Sequence, residues 1–118
     1  MQATTKNPRL YCTFCRKDRK HVAQLVAGPG VHICDACIAV CGRLLTGKPT
    51  ATFGAWDSLT DDEFLATLPA SAAALDAADA TLREHVALLR ERGIPWERIA
   101  SVLGVSRQAV WARFSSES

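Results

Sequence analysis

The chain has 118 residues, of which 48% are hydrophobic and 22% are charged, and its net charge is only +2. This length is enough for one ordinary domain or two very small ones, and the composition is ordinary for a globular protein. No apolar run approaches the roughly 20 residues that a membrane span needs, and residues 1–8 lack the apolar region of a secretion signal. We therefore expect a cytoplasmic protein with reduced thiols and no membrane partner.

Charge is unevenly spread along the chain. Residues 1–48 hold eight basic and two acidic residues, residues 49–82 hold six acidic and no basic residues, and residues 83–118 hold six basic and four acidic residues. Two basic ends around an acidic middle indicate separate modules, although the same pattern can serve solubility alone.

Four of the five cysteines form two Cys-x-x-Cys pairs with 18 residues between them. This spacing is typical of zinc sites in which two short turns each supply two sulfur atoms. Four thiolates at about 2.3 Å complete a tetrahedron and leave no position for water, which favours a structural over a catalytic zinc. The predicted ligands of one structural zinc ion per chain are Cys12, Cys15, Cys34 and Cys37.

Other interpretations of the cysteines stay open. Disulfides are disfavoured in the cytosol, and a redox pair is disfavoured because no strand–helix–strand pattern surrounds either motif. Cys41, one helical turn after Cys37, is either a reserve ligand or a small side chain on an apolar face, and we favour the second. His21 and His32 also belong to a metal-binding residue type, but four thiolates already complete a site.

The segment between the two pairs, HVAQLVAGPGVHIC, predicts a β-hairpin, because apolar residues alternate on both sides of a Gly-Pro-Gly turn. The next segment, CDACIAVCGRLLTG, predicts a helix. The second cysteine pair then lies in its first turn, where the helix dipole favours thiolate charge. The apolar side of this helix is predicted to consist of Cys37, Val40, Cys41, Leu44 and Leu45.

The stretches YCTFCRK and LVAGPGVHICDACIAVCGRLL closely resemble the N-terminal zinc-binding domain of the ClpX unfoldase, over roughly residues 9–46. The resemblance implies a treble-clef-like fold, the four-cysteine ligand set, and a dimeric module that engages protein partners. The chain has no Gly-rich nucleotide-binding loop and no room for an ATPase domain. Of the roles of the ClpX domain, we therefore expect this chain to share only dimerisation and protein binding. We expect a homodimer through the zinc module, and a protein partner is possible.

Beyond this module, residues 47–58 have no helical period and are predicted to form a flexible linker. The segment TDDEFLATLP then predicts a short helix capped by Thr60 and Glu63, and Pro69 ends it or opens the next. From residue 70 to about residue 92, apolar residues recur at spacings of three and four, which predicts an amphipathic helix. Its apolar stripe consists of Leu75, Ala78, Leu82, Val86 and Leu89.

The stretch IPWERIASVLGVSRQAVWARFSS predicts a helix-turn-helix. Pro95 fits the first turn of one helix, and Gly104 tolerates the left-handed conformation that a turn after it requires. Ser106 can cap the second helix. The side chains predicted to be buried here are Ile99, Ala100, Val105, Val110 and Phe114.

This stretch resembles bacterial helix-turn-helix units of the homeodomain-like and sigma-factor kind, over about residues 82–115. The resemblance implies that the N-terminal residues of the second helix enter the major groove. Arg107 would read guanine and Gln108 adenine, and Trp111 would pack on a thymine methyl group or the sugar backbone, unless it lies in a core or a protein interface. The candidates for phosphate contacts are Ser106, Arg113 and Arg98.

The expected architecture is an α+β zinc-binding module at residues 9–46, a linker at 47–58 and an all-α helix-turn-helix domain at 59–118. The first functional hypothesis is a transcriptional regulator that binds double-stranded DNA as a homodimer. The alternative is a protein-interaction adaptor linked to Clp-type proteolysis, without specific DNA binding. We expect no enzyme, because the sequence shows no Ser/His/Asp or Cys/His pairing, paired carboxylates or phosphate loop.

Overall fold

The computed structural model describes residues 10–50 and 52–115. Within these ranges it contains one two-stranded sheet, five α-helices and two short 3₁₀ turns. The chain falls into two compact units that divide between Ala78 and Asp79. The first unit holds the sheet and the cysteines, and the second is helical throughout its described part, which confirms the predicted fold class.

A β-hairpin forms between the two cysteine pairs, as predicted. Strand β1 (Leu25–Gly28) pairs antiparallel with strand β2 (Val31–Cys34). In the connecting turn, Gly30 has a φ of 76°, in the left-handed region that glycine adopts without a Cβ clash. The hairpin thereby delivers Cys34 to the start of the next helix.

Helix α1 (Asp35–Leu45) begins directly after β2, with Cys34 as its N-cap residue. Cys37 is its only buried residue, and it joins Cys12 and Cys34 in a small core. The predicted apolar side of α1 is therefore buried only at its start, and Leu45 near the other end is 88% exposed. The partly buried side chains around this core are Cys15, Val22, Leu25, Ile33 and Phe53.

Part of the segment predicted as a flexible linker lies against the core of the first unit. Phe53 packs beside the buried cysteines, and its ring centroid lies 5.0 Å from that of Phe14, with the ring planes tilted by 60°. Such tilted aromatic pairs are favourable beyond the area that they bury. One aromatic side chain thus attaches a segment that has no helical period of its own.

The short acidic helix is confirmed as α2 (Asp61–Leu65). The Thr60 hydroxyl accepts a hydrogen bond from the Glu63 N–H at 3.2 Å, and the Glu63 carboxylate accepts one from the Thr60 N–H at 2.9 Å. This reciprocal cap satisfies two N–H groups that would otherwise lack a partner at the helix start. The ring of Trp56 stacks on that of Phe64, with the centroids 6.1 Å apart.

Helix α3 (Leu68–Glu91) has Pro69 as its second residue, so this proline opens the helix, where its missing N–H costs little. The first part of α3 lies against the zinc module, and Ala70 is only 2% exposed. Short alanine side chains allow this close approach and leave a cavity of about 60 Å³. The cavity is lined by Leu10, Tyr11, Thr13, Gly30, His32, Ala70, Ala73, Ala74 and Ala77.

The first unit extends to Ala78, so it includes α2 and the start of α3. Leu75, which the sequence assigned to the apolar stripe, is 71% exposed. In this part of α3 the side chains of Ala70, Ala73, Ala74 and Ala77 line the cavity, and the stripe is buried only farther along the helix, at Val86.

The second unit has one apolar core. Helices α4 (Trp96–Leu103) and α5 (Arg107–Phe114) pack together with the part of α3 that follows Asp79. Four of the five side chains predicted to be buried in the helix-turn-helix lie in this core, which confirms them. The core consists of Val86, Ile99, Ala100, Val110 and Phe114, with Leu82, Ile94 and Trp96 at its edge.

The turn between α4 and α5 is held by the main chain. Gly104 has φ 74° and ψ 29°, the predicted left-handed conformation. The next N–H, that of Val105, donates to the carbonyl oxygen of Ala100 at 3.1 Å. The prediction that Val105 fills the corner with a buried side chain was wrong, because this residue is 47% exposed.

Truncating Phe114 tests whether this core holds the second unit together. Phe114 is 5% exposed, and removing a buried phenyl ring costs about 3–5 kcal/mol, a large part of the stability of any small domain. We expect Phe114→Ala to unfold the unit at a much lower urea concentration, measured by circular dichroism. The control Val102→Ala, at a side chain 88% exposed, should stay within about 0.5 kcal/mol of the wild type. Equal urea midpoints for both variants would contradict the assignment of this core.

Candidate metal centre and nucleic-acid interface

Two turns bring four cysteine side chains together in the first unit. Cys12 and Cys15 flank a tight turn before the hairpin, Cys34 ends β2, and Cys37 lies in the first turn of α1. The four Sγ atoms all lie within 4.8 Å of one another. The predicted ligand set is therefore assembled at one point.

The distances between the sulfur atoms fit a single tetrahedral ion. Four ligands at about 2.3 Å from zinc place each pair of sulfur atoms about 3.8 Å apart. The Sγ atoms of Cys12 and Cys37 are 3.7 Å apart, and those of Cys15 and Cys34 are also 3.7 Å apart. Zinc bound here would hold the hairpin, the first turn and α1 together, and four thiolates would leave it no position for water.

Main-chain N–H groups stabilise negative charge on one of these sulfur atoms. The N–H of Cys15 donates to the Cys12 sulfur at 3.4 Å, and that of Cys34 donates to the same sulfur at 3.3 Å. Burial raises the pKa of the Cys12 thiol, but these and other donors outweigh burial and lower the pKa from 9.0 to about 7. The Cys12 thiol therefore ionises more readily than an ordinary cysteine.

The pKa values of Cys15 and Cys37 are shifted in the opposite direction. Burial and the neighbouring cysteine sulfurs raise the pKa of Cys37 far above its usual range. Burial likewise raises the pKa of Cys15, although a main-chain hydrogen bond from Lys17 partly offsets it. Several thiolates this close together repel one another. A divalent metal ion offsets the repulsion with its own charge and binds the cysteines as thiolates, so their protons are lost. Metal binding here therefore releases protons and weakens in acid.

The remaining candidate ligands lie outside this cluster. Cys41 is half-buried, and neither it nor His21 nor His32 belongs to the group of potential metal ligands found among the described residues. His32 is instead held through its backbone, whose N–H donates to the Thr13 hydroxyl at 2.9 Å.

Arg16 is a residue of interest that the spacing of the cysteines did not reveal. Among the described residues it is the only one other than glycine with a positive φ, 72°, a conformation that costs an arginine about 1–3 kcal/mol. Its N–H donates to the Cys12 carbonyl oxygen at 2.9 Å, which closes the first cysteine turn. The strained backbone of Arg16 thus belongs to the turn that directs the sulfur atoms of Cys12 and Cys15 toward the metal site.

In the second unit, the start of α5 presents the predicted base-reading residues. The Ser106 hydroxyl accepts a hydrogen bond from the Ala109 N–H at 3.0 Å, which confirms the predicted N-cap. Arg107 and Gln108 are exposed, and Trp111 is 55% exposed. The opposite face of the same helix is buried at Val110 and Phe114. The helix therefore offers one polar face while the other anchors it.

Arg113, predicted to contact phosphate, forms contacts within its own unit. Its guanidinium lies 3.1 Å from the Asp79 carboxylate and 5.0 Å from the centre of the Phe114 ring. Arg83 binds the same carboxylate at 2.9 Å. Hydrogen bonds from Arg83 and Arg113 lower the pKa of Asp79, so this carboxylate is ionised at neutral pH. A phosphate would have to compete with Asp79 for Arg113.

Comparison with known families gives two matches. Residues 10–47 match the ClpX C4-type zinc finger, and residues 77–117 match the homeodomain-like domain. Both resemblances seen in the sequence are thereby confirmed. The first match and the cysteine geometry together indicate one structural zinc ion, and the second indicates DNA binding. No solved structure matches the chain. None of the helices in the described part of the chain is long and apolar enough to cross a membrane.

Removing zinc should unfold the first unit selectively. Its core is built largely from the cysteines themselves, so metal binding and folding are expected to be one event. We expect a chelator, or the substitution Cys34→Ser, to abolish hydrogen-exchange protection in residues 10–47. Protection in α4 and α5, which have an apolar core of their own, should remain.

Cys41→Ser is the matched control for that experiment, because it removes a thiol outside the ligand cluster. This variant should retain one zinc ion and full protection in residues 10–47. Undiminished protection after chelation of the wild type would show that the metal is not structural.

Proposed function

We propose that this chain is a DNA-binding transcriptional regulator of the bacterial cytosol. A structural zinc module pairs two chains, and helix α5 of each chain reads the major groove of double-stranded DNA. The observation that carries the proposal is the exposed, Ser-capped start of α5, in a segment that matches the homeodomain-like domain. We propose binding rather than catalysis, because four thiolates leave zinc no position at which to activate water.

The residues at the start of α5 suit base recognition. The major groove admits one α-helix, and helix-turn-helix proteins place the N-terminal residues of that helix against the base edges. Arg107 is suited to a bidentate contact with guanine and Gln108 to one with adenine. Trp111, one turn farther along and half exposed, can pack on a thymine methyl group or the backbone.

Other residues suit the phosphate backbone, which positions the protein without specifying sequence. The Ser106 hydroxyl accepts the capping bond, so its own hydrogen is free to be donated to a phosphate oxygen. Arg98 on α4 is exposed. Arg113 can contribute if a phosphate replaces Asp79 as its partner.

Pairing of two chains follows from the modest size of one helix-turn-helix unit. Affinity for DNA rises steeply with the number of phosphates contacted, and linking two units multiplies binding through effective concentration. Helix α1 offers an apolar surface for such pairing, because Ile38 and Leu45 lie seven residues apart on one face and are 44% and 88% exposed. A two-fold dimer would bind a roughly palindromic site, with half-sites about one helical turn or a multiple apart.

A second function is favoured by a different observation. The match of residues 10–47 to the ClpX C4-type zinc finger also supports an adaptor that ties partner proteins to Clp-type proteolysis. In that case α5 would serve as a protein-docking surface and would not distinguish DNA sequences.

Replacing the base-reading pair separates these two functions. We expect Arg107→Ala/Gln108→Ala to keep its fold but lose sequence discrimination, because each bidentate pair contributes about 1–3 kcal/mol. The measurement is binding to a site selected from random duplexes by the wild type, compared with a scrambled duplex. Arg92→Ala, which removes a charge from an exposed position outside α5, should discriminate as the wild type does. Failure of the wild type to select any sequence would favour the adaptor.

The pairing of chains has its own test. Sedimentation equilibrium should show a zinc-loaded dimer, and Ile38→Glu/Leu45→Glu should yield a monomer that still binds zinc, because two carboxylates cannot be buried in an apolar interface. The control Val102→Glu, at an 88% exposed residue of the second unit, should remain a dimer. A zinc-loaded wild type that sediments as a monomer would refute pairing through this module.

A further inference from the structure

A cluster of basic side chains follows the first cysteine pair. It consists of Arg16, Lys17, Arg19 and Lys20, here called the basic turn, and three of the four residues are exposed. Within the described residues, none of these side chains takes part in an ion pair. The basic side chains of the zinc module are therefore concentrated in one short segment, without ion pairs to its carboxylates.

The carboxylates of the module bond to the main chain instead. Asp18 accepts a hydrogen bond from the Lys20 N–H at 2.8 Å, and Asp35 accepts one from the Gln24 N–H at 3.2 Å. Residues 10–47 contain no other acidic residue. Both negative side chains thus shape the backbone and do not pair with the basic side chains around them.

Arg16 has two unfavourable features, one in its side chain and one in its backbone. Its Nε and Nη1 atoms are buried, and neither has a hydrogen-bond partner in the described structure. A buried donor without a partner is unfavourable, and so is an arginine with a φ of 72°. The arginine at this position therefore carries two donor atoms for which the described residues supply no acceptor.

The basic turn is held in place by the main chain. The Cys12 N–H donates to the Lys17 carbonyl oxygen and the Arg19 N–H to that of Leu10, each at 2.9 Å. A short 3₁₀ turn then spans Arg19–His21. Two main-chain hydrogen bonds thus hold the backbone of this segment without a ligand, which lowers the cost of binding.

We propose that the basic turn binds the phosphate backbone of duplex DNA, so that the chain contacts DNA through its zinc module as well as through α5. This inference rests on the proposed DNA-binding function. Guanidinium and ammonium donors match phosphate oxygens, and the planar fork of arginine suits them best. Contacts of this kind carry no sequence information, so the basic turn contributes affinity and salt dependence while α5 contributes selectivity.

The test is the salt dependence of binding to a labelled mixed-sequence duplex, measured by anisotropy with the full zinc-loaded chain between about 50 and 200 mM salt. Arg19→Gln/Lys20→Gln should reduce the slope of log K against log salt by about 1.8, or about 0.9 for each phosphate that the variant no longer neutralises. Arg43→Gln/Lys48→Gln is the matched control, since it also removes one arginine and one lysine from the first unit. Its slope should equal that of the wild type.

Arg16→Asn separates a ligand-binding role from a structural one. Asparagine tolerates the left-handed conformation, so the melting temperature and zinc content should be unchanged or higher, while the slope falls by about 0.9. Faster zinc release with an unchanged slope would show that Arg16 serves the metal centre and would overturn its role here.

The outcomes distinguish this proposal from the one on which it rests. If the wild type binds no duplex even at low salt, the proposed function itself fails. If the wild type binds and selects a sequence, but all variants of the basic turn keep its slope, only the second contact surface is refuted. That result is also the one expected if the basic turn serves an acidic protein partner.

Discussion

The structure of the first unit depends on the convergence of four sulfur atoms on one point. Three of the four cysteines are themselves the buried residues around this point, so little apolar surface remains to hold the hairpin and α1 together without a metal ion. Small domains commonly replace a missing core with such an ion. The same requirement fixes the turn after Cys12, places Cys34 at the helix start, and forces Arg16 into a conformation that usually belongs to glycine.

The second unit is also small, but it is stabilised by an apolar core and not by a metal ion. Its helices bury a continuous set of apolar side chains, and this core leaves the opposite face of α5 free to carry polar residues. The two units therefore differ in what stabilises them. Metal coordination stabilises the first unit, which suits pairing or docking. Apolar packing stabilises the second unit, which suits insertion of a helix into the major groove. In a dimer of such chains, two linked helix-turn-helix units would bind DNA more tightly than either unit alone.

The parts of the molecule that follow from local patterns were predictable from the sequence. Spacing identified the ligand set, alternation around Gly-Pro-Gly identified the hairpin, and the residue types at particular positions between Pro95 and Phe114 identified the helix-turn-helix core. Features that depend on contacts distant in sequence were not predictable. Phe53 lies in a segment without a period, and its ring contacts Phe14, 39 positions earlier in the chain. The pairing of Arg113 with Asp79 joins residues 34 positions apart. The burial predicted for Val105 was wrong for a different reason: an apolar residue in a tight turn need not be buried, and this one is half exposed.

The central claim is that Cys12, Cys15, Cys34 and Cys37 hold one zinc ion as thiolates. X-ray absorption spectroscopy at the zinc edge, on the full chain purified without added metal, tests it most directly. The account predicts one zinc per chain with four sulfur neighbours at about 2.3 Å and no nitrogen or oxygen neighbour. A first shell containing nitrogen or oxygen, or a metal-free protein whose four cysteines form disulfides, would contradict it.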